Sequence, residues 1–159
     1  MATLGNILAR KGGTAMTGLE VTLTLAIPQA GAPLVEEAKV LLLPVSETRK
    51  ARAFREAEAY VVAEEEAAAK AEVVCTAPTA VDERAFRFLI EAMRDPEDAR
   101  KFFVEAKNID QFRDILIAEQ KRFLIESYDE LIKREYAELR ADEVKEQAKQ
   151  VFPSGQPSP

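Results

Sequence analysis

Apolar and small residues alternate where the first regular element begins: Val21, Leu23, Leu25 and Ile27 are separated by Thr22, Thr24 and Ala26. A period of two predicts a half-buried strand, because successive strand side chains point to opposite faces. Pro28, Gly31 and Pro33 then make a loop, and the apolar run from Lys39 to Leu43 pairs back as the second strand of a small hairpin. After Pro44 the period changes to that of a helix. Ser46 is placed to cap it, Phe54, Ala57, Val61 and Ala68 share one side, and the pattern holds to about Val74. Pro78 ends this element, and Thr79 with Asp82 forms a capping pair for a second helix whose buried stripe is Phe86, Leu89, Ile90 and Met93. Asp95-Pro96 predicts the opening of another helical turn, with Phe102 and Phe103 in it or just after it.

The last helical region behaves differently. Asp110 caps it, but at 100° per residue its apolar side chains fall on two sides. Phe112, Ile115, Leu116 and Phe123 cluster on one. Ile117, Leu124, Tyr128, Leu131, Ile132 and Leu139 centre on nearly the opposite one. Such a pattern fits a helix buried on both faces or a chain that kinks between Ile117 and Gln120, and we read it as a short helix followed by a long one. From Ala141 the pattern thins into Lys, Glu and Gln, and the end, VFPSGQPSP, lacks the apolar residues to order itself. These features divide the chain into a glycine-containing flexible leader (1–18), one helix-rich domain (19–140) and a disordered polar tail (141–159). The fold class expected is α+β, mainly α: an N-terminal hairpin and a bundle of four or five helices packed around Phe54, Phe86, Leu89 and Leu116.

Composition narrows the function. The 159 residues carry 22 Lys and Arg against 28 Asp and Glu, a net charge of −6 with the signs interspersed. Nucleic-acid binders concentrate cations on one face, so DNA and RNA are not expected partners. No apolar run approaches the length that crosses a bilayer, and the start, MATLGNILARKGG, lacks the apolar centre of a secretory signal. The chain reads as cytoplasmic and not membrane-bound. Cys75 is the single cysteine, which excludes an internal disulfide.

With no histidine and one cysteine, a zinc or haem site has no ligand set, and no cofactor is expected. Asp95, Glu97 and Asp98 lie close together but lack the alternation and central glycine of a calcium loop, so they read as helix-capping groups. Cys75 has no histidine to activate it and follows Val73 and Val74, which suggests a small buried or half-buried thiol. No serine sits in a nucleophile elbow, and Gly12 and Gly13 follow Lys11 rather than preceding a Lys-Ser/Thr pair. Acidic residues lie at helical spacing from bases, as Arg52 and Glu56 or Glu66 and Lys70 do, and read as solvated faces. No catalytic residue is assigned.

Interaction surface is what remains. Arg49, Lys50, Arg52 and Arg55 gather in the first turns of a helix, where the dipole disfavours cations, and form either a surface patch balanced by Glu47, Glu56 and Glu58 or a contact for an acidic partner. The second apolar side of the last helix, through Leu124, Tyr128, Leu131 and Ile132, either covers the domain or docks a partner helix. The partner-binding candidates are therefore Leu124, Tyr128, Leu131, Ile132, Arg49, Arg52 and Arg55.

Two stretches resemble the phage tail assembly chaperones, small proteins that accompany the long helical tape-measure protein before the tail tube forms. They are VLLLPVSETRKARAFREAEAYV (Val40 to Val61) and DQFRDILIAEQKRFLIESYDELIKREYAEL (Asp110 to Leu139), the latter reading as the short helix and long tyrosine-containing helix that close such domains. The resemblance implies a non-enzymatic protein in the host cytoplasm that keeps a helical, tape-measure-like partner soluble, and it carries no active site. The leader and the tail beyond Leu139 depart from the family pattern, which leaves open a structural tail or connector subunit that stays in the particle. Homo-oligomerisation is left open by the sequence.

Overall fold

A computed structural model describes Thr3, Leu4 and residues 18–151, with side chains as far as Glu135. Its architecture is α+β and mainly α: a three-stranded antiparallel sheet and, among the described residues, four α-helices. Strand β1 (Leu19–Ile27) pairs antiparallel with β2 (Leu34–Leu42), in a register that sets Leu19 opposite Leu42, Val21 opposite Val40 and Ile27 opposite Leu34. Directly opposed residues share a face, so Leu23, Leu25, Val40 and Leu42 are all buried on the inner one. Gly31, at φ +102°, supplies the left-handed residue that the six-residue connection requires. Gly18 already belongs to the packed body, since a Cβ there would lie 2.7 Å from the Leu42 carbonyl oxygen.

Helix α1 (Glu47–Lys70) starts at Ser46, whose hydroxyl accepts from the Arg49 amide at 3.2 Å. Ala53, Ala57 and Val61 form its buried side, the alanines allowing the close approach of helix α2 (Ala80–Ala92). Thr79 caps α2 as its sequence implied, accepting from the Asp82 amide at 3.2 Å. Thr79→Ala should cost about 1 kcal/mol, the usual worth of such a cap, measurable as a shift in the urea midpoint. A shift near zero would show that the α2 start is held by packing alone.

The helical turn expected at Asp95-Pro96 does not form. A residue before proline is pushed toward extended backbone, and the chain turns extended already at Met93, making a third strand, β3 (Met93–Arg94), against Leu42 and Leu41. The carboxylates of Asp95 and Asp98 accept from the Glu97 and Arg100 amides at 2.9 and 3.1 Å, and so build a tight loop instead of capping a helix. Accepting the Arg100 amide holds the Asp98 carboxyl below its ordinary range. The loop returns through a hydrogen bond that the Asp95 amide donates to the Lys101 carbonyl (3.0 Å) and a bridge between Arg94 and Phe102.

A short 3-10 turn (Ala106–Asn108) leads into α3 (Ile109–Ile115), and α4 (Ala118–Val151) follows after only two residues. Leu116 is extended (φ −82°, ψ 106°), which is the break read from the two-sided wheel, placed just before the expected position. Beyond Ala141 the backbone stays helical to Val151 rather than forming an irregular tail. Glu, Lys, Gln and Ala sustain a helix by intrinsic propensity without an apolar face. The expected mobility of the tail beyond Val151, and of most of the leader, lies outside the described residues.

One core joins the sheet to the helices: Leu23, Leu25, Val40 and Leu42 meet Phe86, Leu89, Ile90, Met93, Val104, Phe112, Leu124 and Leu131. Of the four residues expected at its centre, Phe86 and Leu89 are buried, Leu116 packs against its margin half-buried, and Phe54 lies half-buried on a groove. Helix α4 also covers the free edge of β1, where the Thr24 amide donates to Gln120 Oε1 at 2.9 Å.

Candidate functional site: a groove between three helices

The docking side expected on the last helix is core. Leu124 and Leu131 are 0% exposed, and with Ser127 they form the seam by which α4 packs onto the body. The correction has a geometric cause. Residues 110–139 are two helices with different axes, so side chains on opposite sides of a single wheel, Phe112 and Leu124, converge on the same core. Ile132 is half-buried beside this seam. Tyr128 lines a cavity: its hydroxyl accepts from the Val45 amide at 3.0 Å, and its ring lies edge-to-face with that of Phe88 at 4.9 Å.

That cavity is an open groove of about 470 Å³. Helix α2 forms the floor with Val81, Ala85, Phe88 and Leu89. The α1 wall carries Lys50 and Phe54, and the α4 wall carries Ile125, Tyr128 and Asp129. Phe54 is fixed between two cations, Lys50 Nζ at 5.6 Å and the Arg84 guanidinium at 5.8 Å from its ring centre. Arg84 is in turn tied to Glu58 at 2.6 Å. Lys50 and Asp129, facing the groove from opposite walls, have no ion-pair partner among the described residues. The arrangement offers an apolar trough with a charged rim.

The arginine cluster of α1 is divided by the fold. Arg52 reaches across to Glu91 on α2 at 3.1 Å instead of pairing with Glu56 within its own helix, while Arg49 is exposed and Arg55 donates back to the Ala51 carbonyl at 3.4 Å. Glu91 also lies near Arg94, which is buried against the Phe102 ring at 4.0 Å. Burial, and then repulsion from Arg49, lower the Arg94 pKa, and Glu91 opposes them. The cluster thus has a structural counter-ion, and none of the three candidate arginines lines the groove.

A second charged group stabilises the floor from its other side. Glu83, 1% exposed, accepts from Arg87 Nε at 3.0 Å and from both Nε (3.3 Å) and a terminal nitrogen of Arg113. The Arg113 guanidinium also lies 4.1 Å from the Tyr60 ring centre and 4.9 Å from that of Phe86. Burial would lower the Arg113 pKa, but the hydrogen bonds to Glu83 and Asp110 outweigh it and raise the value. This network fastens α3 to α2 and α1, and all of its acids and bases are occupied with one another.

Cys75 is exposed, as are Val73 and Val74, in the turn after α1 where Glu72 adopts φ 55°. The expectation of a buried or half-buried thiol fails because α1 ends at Lys70, and the chain leaves the body before reaching it. Among the described residues no three acidic or sulfur ligands converge as a metal site, and no helix is long and apolar enough to cross a membrane. Comparison with protein-family models, curated proteins and solved structures gives no match.

Proposed function

We propose that this chain is a non-enzymatic protein-binding protein that shelters a helical segment of its partner in the α1–α2–α4 groove, in the manner of a phage tail assembly chaperone holding a tape-measure-like protein. The observation that carries the reading is the groove itself. Three helices present an apolar trough with Val81 70% and Ile125 38% exposed, and such troughs take the apolar stripe of an amphipathic helix. The resemblance over Val40 to Val61 and Asp110 to Leu139 supports a tape-measure-like partner, and the two stretches contribute opposite walls of the trough.

The test is co-expression with a tape-measure fragment. Ile125→Glu and Val81→Glu change exposed side chains, so both variants should keep the wild-type melting curve within about 1 kcal/mol. The amount of soluble partner should fall several-fold with each. Normal partner solubility with both variants would remove the groove from the function. Recovery of the chain in fixed copy number from purified particles would replace the chaperone role with that of a structural tail or connector subunit.

A further inference from the structure

The groove is electrically asymmetric across its width, and from that asymmetry we infer that its occupant is an amphipathic helix with acidic residues along one flank of its apolar stripe and basic residues along the other, seated in one fixed direction. The inference rests on the reading of the groove as a docking site. Lys50 stands on the α1 wall and Asp129 on the α4 wall, each without an ion-pair partner among the described residues. Arg84, between them on the floor, is engaged by Glu58, which leaves the two wall charges to act on a ligand. A helix lying along the floor places its flanking residues against the two walls. An acid is attracted to Lys50 and a base to Asp129, whereas flanks of one sign gain at one wall and lose at the other. Turning such a helix end for end exchanges its flanks, so the wall charges select a direction.

The chain's own ends do not meet this description. Residues 1–18 contain no acidic residue, and residues 152–159, FPSGQPSP, contain no charged side chain. A second copy presenting the same groove is also a poor fit, because two concave surfaces facing each other leave a void where the packing should be.

Three designed helical peptides of one length and one apolar stripe make the test, with flanks that are acid/base, all acidic or all basic, and binding is read by fluorescence anisotropy on the full chain. The wild-type protein should bind the acid/base peptide about threefold more tightly than either uniform peptide, the size expected of exposed ion pairs. Lys50→Glu should move the preference to the all-basic peptide, and Asp129→Lys to the all-acidic one. The double variant should restore the preference for the mixed peptide and reverse its direction, seen as a spin label on the peptide N-terminus broadening resonances at the opposite end of the groove. Binding of all three peptides with equal affinity overturns the inference and leaves the docking reading standing. Failure of every peptide to bind, or self-association of the chain that Ile125→Glu abolishes, overturns both.

Discussion

Leu131→Glu is expected to abolish the cooperative thermal transition of the isolated chain. The residue is 0% exposed and sits one turn beyond Ser127 and two beyond Leu124 on the buried seam that joins α4 to the sheet and α2. A carboxylate there has no cation to pair with among the core side chains, and burying an unpaired charge costs several kcal/mol even after the site relaxes. Added to the lost leucine packing, about 2 to 5 kcal/mol, the penalty is comparable with the whole stability of a domain of this size. Circular dichroism melts measure it, with Ile125→Glu as the control. That substitution introduces the same charge on the same helix six residues away, at a 38% exposed position, and should leave a normal transition. A normal melt of Leu131→Glu would mean that α4 is not docked as described and that its apolar side is free for a partner.

The Leu131 result also marks what could and could not be read from the sequence. The hairpin, the helix caps at Ser46 and Thr79 and the break near Leu116 were legible, because period, capping residues and proline positions are local properties, whereas Asp110 lies inside the first turn of α3 instead of capping it. Local rules cannot say toward which body a helix turns its apolar side. The two sides counted between Asp110 and Leu139 were real, but their meaning depended on the angle between α3 and α4, which only tertiary packing sets. The groove was half legible. Val81, Ala85 and Phe88 recur at helical spacing and formed a second stripe on α2, hidden behind the stronger stripe of Phe86, Leu89 and Ile90. Lys50 and Asp129 gave no local sign, since their relation arises from three helices meeting. The role of Arg52 was likewise out of reach, because Glu91 lies 39 residues away in sequence. Helical spacing places Met93 on the α2 stripe, but the residue leaves into β3, where a proline three positions later acts together with an available edge on β2.

Among the charged residues outside the groove, Glu83 is the position where a change should have the largest effect. Its carboxylate is 1% exposed and receives both Arg87 and Arg113, whose side chains are only 14% and 16% exposed. Removing it by Glu83→Ala leaves two guanidinium groups close together in a poorly hydrated space, with Asp110, among the described residues, the only acid still paired to Arg113. Breaking a buried pair from one side typically costs about 3 to 5 kcal/mol, mostly through the uncompensated charge left behind. The same reasoning predicts partial rescue. Glu83→Met combined with Arg113→Leu removes the charge together with its main partner, and apolar replacements for buried ion pairs are often neutral. The double variant should therefore be more stable than Glu83→Ala. Urea denaturation of the three proteins at constant ionic strength gives the comparison, and Lys39→Ala, which breaks an exposed 3.9 Å pair with Glu20, sets the scale of a change that should stay below about 1 kcal/mol. If Glu83→Ala costs no more than Lys39→Ala, the network contributes nothing to the attachment of α3. In that case the packing of Phe112 against Phe86 and Phe103 holds α3 alone.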